Sequence, residues 1–195
     1  MTKEQKITIG ITVPVCIAVL VLAFYYGIKQ MKNYYDSTGQ RNYFSDKELT
    51  YSSTAKKYGI DNTPNEQQWA NLYALRDNVL NPVRRYLNRP VTVNVAFRSE
   101  ALNRKLIELG HSASPGSQHT KGQAADIKIG TPAENKRLFQ AIVELGVYDQ
   151  IIWENNGNWI HVSYNPAGCR HNMLAYSNGT YKNINNNWQT AIGLA

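Results

Sequence analysis

Cysteine is scarce: the 195 residues hold two, Cys16 inside an apolar run and Cys169 in the last third of the chain. That excludes a disulfide-stapled fold and a thiolate-based zinc finger, and leaves Cys169 as a free buried or loop thiol. There is no internal repeat and no nucleic-acid-binding motif. The basic residues are scattered, with Arg84 and Arg85 the one adjacent pair of arginines, so nucleic acid is set aside as a partner. Acidic residues are outnumbered, 14 against 21 Lys and Arg, for a formal net charge of +7. Such an excess suits a membrane surface or an acidic cell wall, and equally a soluble basic surface with no anionic ligand. The length fits one domain with extra segments, enough for one hydrophobic core.

Charge is absent from Ile7 to Ile28, "ITIGITVPVCIAVLVLAFYYGI". As a helix this run is about 33 Å long, against a hydrocarbon core of roughly 30 Å. Tyr25 and Tyr26 stand where an interfacial aromatic belt would lie. A cleaved signal peptide has a shorter apolar region and a small-x-small site, which "FYYGIKQMK" lacks. The expectation is an uncleaved transmembrane anchor over 7–28, after a short tail at 1–6. Lys3 and Lys6 precede the run, while Lys29, Lys32 and Arg41 follow it, so charge does not orient it. Residues 29–42 read as a polar linker, 43–166 as a globular domain and 167–195 as an Asn-rich tail.

Within the domain, Trp69, Leu72, Leu75, Val79, Val83 and Leu87 recur at helical intervals, and Pro82 should kink or split that helix near Asn81. Val91, Val93, Val95 and Phe97 alternate with Thr92, Asn94, Ala96 and Arg98 as in a strand. Ser99 caps a helix closed by Gly110. Thr131 and Glu134 have capping-box spacing, with Pro132 at the first helical position and Gly146 as the stop. "QIIWE" and "NWIHVSY" flank "NNGN", a hairpin signal. Helices and strands mix without strict βαβ alternation, so the fold class is α+β.

His119 and Asp126 lie seven positions apart, with Gly122, Ala124 and Ala125 keeping side-chain bulk low between them. His161 sits mid-strand in the hairpin. If Glu154 pairs with Trp159, it shares the face of His161 one diagonal step away. Two imidazoles and carboxylates on converging strands suit a catalytic Zn2+ with three protein ligands and one open position. A nearby Glu that is not a ligand then serves as proton carrier.

"SQHTKGQAAD" resembles the Ser-x-His-x-x-Gly-x-Ala-x-Asp signature of zinc D-alanyl-D-alanine carboxypeptidases and related peptidoglycan peptidases, phage endolysins included. Ser117, His119, Gly122, Ala124 and Asp126 stand in its places. "FRSEALNRKL" looks like the segment in which an Arg contacts substrate, here Arg98. "DQIIWENNGNWIHVSY" looks like the segment ending in the Trp-x-His ligand. The resemblance implies a small central antiparallel sheet flanked by helices, and one Zn2+ held by His119, Asp126 and His161. It also implies amide hydrolysis in peptidoglycan stem peptides. Many members carry the acid/base three residues before the last His, where this chain has Asn158. Glu154 is the expected substitute and Asp149 the weaker candidate. Arg98 is expected to bind a substrate carboxylate or the oxyanion, and Ser117 and Gln118 to contact substrate. Such a domain would face the cell wall of a bacterium, encoded by it or by a bacteriophage. A catalytically impaired, membrane-tethered wall-binding or partner-binding module is the other reading that Asn158 leaves open.

Overall fold

In the computed structural model, residues 17–28, 35–36, 39–111 and 113–194 are described. The chain divides into two units, residues 1–42 and 43–195. In the first, residues 17–28 form helix α1, while positions 7–16 of the expected anchor lie outside the described residues. Among the described residues no helix is long and apolar enough to cross a membrane.

The second unit is α+β. It begins with α2 (Asp46–Thr50) and α3 (Ser53–Tyr58), then a helical run formed by α4 (Glu66–Leu75), a π-helical turn (Arg76–Leu80) and α5 (Asn81–Leu87). Pro82 does not break the run. It lacks an N–H, and the turn before it widens so that Asn81 N–H reaches back to the Arg76 carbonyl. Leu72, Leu75, Val79, Val83 and Leu87 are buried, as their spacing requires.

Strand β1 (Thr92–Val95) is shorter than the alternation suggested. A bulge between Val93 and Val95 shifts its register against β2 (Ala124–Lys128). Arg98 therefore lies beyond the strand, where its backbone N–H donates to the His119 carbonyl at 3.2 Å. Ser99 caps α6 (Glu100–Glu108) and Thr131 caps α7 (Pro132–Leu145) through a complete capping box. Next come β3 (Gln150–Glu154) and β4 (Trp159–Ser163), paired as Glu154 with Trp159 and Ile152 with His161.

Residues 167–195 are an integral part of the unit. They supply β5 (Asn172–Ser177), β6 (Thr180–Asn183) and α8 (Trp188–Ala191), and they bury Ile184 and Ile192 in the core. The sheet order is β1-β2-β4-β3-β5-β6. It is mixed, because β5 runs parallel to β3. Both edges of β4 are taken by β2 and β3, so the chain after Ser163 returns to the start of β3 and pairs along its free edge. One face of the sheet carries Ile127, Ile151, Trp153, Ile160 and Val162 into the core, with Phe139 of α7 edge-on to Trp153 at 6.0 Å. The other face carries Asp126, Glu154 and His161.

Candidate metal centre and cleft

His119 sits on a 3-10 turn, Gln118–Lys121, capped by the Ser117 hydroxyl, which accepts the His119 N–H at 3.4 Å. Gly122 ends the turn at φ 71°, and a Cβ there would lie 2.5 Å from the Gln68 carbonyl oxygen. Both facts demand glycine. The turn leads into β2, where Asp126 pairs with His161 of β4. His119 Nδ1–H donates to the Ala96 carbonyl at 2.7 Å. A carbonyl only accepts, so this bond fixes the tautomer and leaves the Nε2 lone pair free. His119 Nε2 lies 3.3 Å, and His161 Nδ1 3.0 Å, from Asp126 Oδ1. One donor atom from each of the three residues falls within 4.8 Å of the others.

Burial pushes the His119 imidazole below its ordinary pKa. Burial opposes ionisation of Asp126, but the adjacent His119 and His161 outweigh it and hold the carboxyl well below the usual carboxylate range. Two nitrogen donors and one anionic oxygen, with an orienting bond behind His119, are a donor set that fits a divalent cation such as zinc.

Glu154 is 9% exposed and lies diagonally from His161 on the same face. Burial raises its carboxyl to about 7 against the opposing pull of His161. Asp149 is also buried, but it accepts from Arg170 Nε and Nη2 at 2.9 and 2.6 Å, from the Arg170 backbone N–H at 3.0 Å and from Gln118 Nε2 at 2.9 Å. Burial alone would raise Asp149, yet these donors lower it to about 2. Asn158 is exposed in the β3–β4 loop, where its backbone N–H donates to the Glu154 carbonyl at 3.0 Å.

A cleft of about 730 Å³ opens over these residues. Arg98, Ser117 and Gln118 line it together with His119, Asp126, His161 and Glu154. Arg98 Nη2 donates to Ser117 Oγ at 3.3 Å, and its buried Nε has no partner among the described residues. Burial pulls the guanidinium below its ordinary value, against the pull of Asp126. The Gln118 amide nitrogen is engaged by Asp149. His111 lines the cleft but does not join the three-residue cluster. His171 meets Tyr148 edge-on, with ring centroids 5.1 Å apart. Trp159 walls the cleft, whereas Trp153 faces the core.

Three groups escaped the sequence. The Ala96 carbonyl has no side-chain signature. Arg170 follows a loop with no periodicity. Tyr181 stands on a strand that reads as polar tail.

The Peptidase M15 family model matches residues 42–163, more than half of the chain. No curated protein matches. One similar solved structure is the L-Ala D-Glu endopeptidase ChiX of Serratia marcescens, 21% identical, with a TM-score of 0.37. The match covers 51% of this chain and 87% of that one.

Proposed function

The chain belongs to the peptidase M15 family, and from that premise we propose that it is a zinc peptidase that hydrolyses amide bonds in peptidoglycan stem peptides. The observation that carries the proposal is the convergence of His119, Asp126 and His161 beside Glu154, which is buried and whose carboxylate accepts no hydrogen bond among the described residues. The stem-peptide substrate follows from the resemblance of "SQHTKGQAAD" to the signature of peptidoglycan carboxypeptidases.

His119 through Nε2, Asp126 through a carboxylate oxygen and His161 through Nδ1 would hold one zinc ion. When bound, it supplies Lewis acidity toward a peptide carbonyl and water. Glu154, with a carboxyl near 7, is poised to take the proton of the attacking water and return it to the leaving amine. Arg98 offers a guanidinium to the developing oxyanion or to a substrate carboxylate. Its place in the lining of the cleft supports that role. Ser117 holds Arg98 and the His119 turn, and Gln118 steadies Asp149. Asp149, saturated by Arg170, is a structural anion rather than a proton carrier. The uncharged run Ile7–Ile28 supports a second proposal: a single-pass anchor that tethers the domain facing a bacterial cell wall.

The test uses the full chain, with metal content by mass spectrometry and muropeptide digests read by product mass. One equivalent of zinc, lost in His161→Ala, and cleaved stem peptides are expected. Zinc without products leaves the wall-binding module that Asn158 favours. Neither zinc nor products ends the reading.

A further inference from the structure

Strand register arranges the cleft face in three rows. Ala124, Ser163, Gln150 and Asn172 form the first, and Asp126, His161, Ile152 and Leu174 the second. Trp159, Glu154, Tyr176 and Tyr181 form the third. The cationic groups gather at the first row. Arg170 binds Asp149, which precedes Gln150, and Arg98 binds Ser117 on the turn that leads to Ala124. The third row is aromatic apart from Glu154. Tyr181 lines the cleft although it is 55% exposed. Its ring lies 4.6 Å from that of Tyr176, tilted by 40°. It stands on β6, beyond residue 163, where the family match ends.

A buried aliphatic group calls for a closed pocket. A tyrosine ring half in water instead offers one apolar face and a hydroxyl, which matches a ring that is flat and C–H-rich on its faces and polar at its edge. The cleft volume of about 730 Å³ lies within the usual range for ligand sites, which runs to roughly 1,000 Å³, and exceeds what the two residues of a scissile bond fill. Stem peptides hang from amino sugars. We propose that Tyr181, backed by Tyr176, is a saccharide subsite that stacks on the pyranose bearing the stem, so that the cleft favours stems still joined to their sugar. This rests on the peptidoglycan reading above.

Two measurements on the full chain test it. In the first, kcat/KM is compared for a disaccharide-linked stem and for the same stem without sugar. The wild type should favour the linked substrate by about threefold to tenfold, the worth of one aromatic contact, mainly through KM. Tyr181→Phe, which keeps the ring face and loses only the hydroxyl, should keep most of that ratio, and Tyr181→Ala should bring it toward one. In the second, the stem-free disaccharide is titrated while tyrosine ring signals are followed by NMR. Shifts in the wild type and in Tyr181→Phe, absent in Tyr181→Ala, support the subsite whether or not any substrate is cut. A wild-type ratio of one, or ring signals indifferent to the disaccharide, overturns the subsite and leaves the peptidase standing. No cleavage of either substrate fells the peptidase reading, and the titration then decides the subsite alone.

Discussion

At the start of β3, Asp149 accepts hydrogen bonds from a guanidinium, an amide and a backbone N–H. At its end, Glu154 is nearly as deep yet has no hydrogen-bond partner among the described residues. Both carboxylates lose water, and the difference lies in what replaces it. Donors hold Asp149 ionised, near 2, whereas burial without donors lifts Glu154 to about 7. A carboxylate fully satisfied by its neighbours is a structural part. One left without donors beside His161 and Asp126 is available for proton transfer.

The sharpest way to break that contrast is to exchange each acid for its amide. Glu154→Gln should cut turnover by about 10²–10⁴-fold, the usual contribution of a positioned acid/base, while zinc content stays at the wild-type level. Unchanged turnover would return the proton-carrier role to another group. Asp149→Asn should do the reverse. It removes the charge that Arg170 and Gln118 converge on, so thermal unfolding should report a loss of about 1–3 kcal/mol, with the folded fraction retaining turnover.

The two acids should also pull stability in opposite directions with pH. Glu154 has a folded value of about 7 against an ordinary 4.5. Its contribution is therefore present in full below the ordinary value and lost as pH rises through about 7. Asp149, at about 2 against 3.8, contributes above its ordinary value and loses that contribution as pH falls through about 2. In metal-free protein, denaturant midpoints at pH 5 and pH 8 should show Glu154→Gln gaining on the wild type at the higher pH, by on the order of 1–3 kcal/mol. Parallel curves would mean that Glu154 is hydrated. The smallest effect belongs to Gln118→Ala, which removes one hydrogen bond to Asp149 and should cost about 1 kcal/mol. A far larger loss would make Gln118 the main prop of that carboxylate.

Much of this was legible wherever the signal is local. The caps at Ser99 and Thr131, the stop at Gly146 and the β3–β4 hairpin all depend on residues within a few positions of one another, and all are present. Strand parity likewise placed Glu154 opposite Trp159 and on the face of His161. The failures concern long-range partners. The bulge that ends β1 at Val95 depends on how β2 meets it. Residues 172–183 show no sustained alternation and become strands because β3 offers them an open edge. Arg170 finds Asp149 across 21 positions of sequence. In the site, spacing, strand parity and the motif together point to His119, Asp126 and His161, whereas nothing in the sequence points to the Ala96 carbonyl that orients His119.

The Ala96 carbonyl that aligns His119 belongs to the main chain, and this bears on mutational robustness. Acceptors supplied by side chains can be deleted by one codon change, but a peptide oxygen survives every substitution at its own position. The imidazole's bearing is thereby insulated from local drift in sequence. It is exposed only to changes that shift the path of the backbone between Val95 and Arg98.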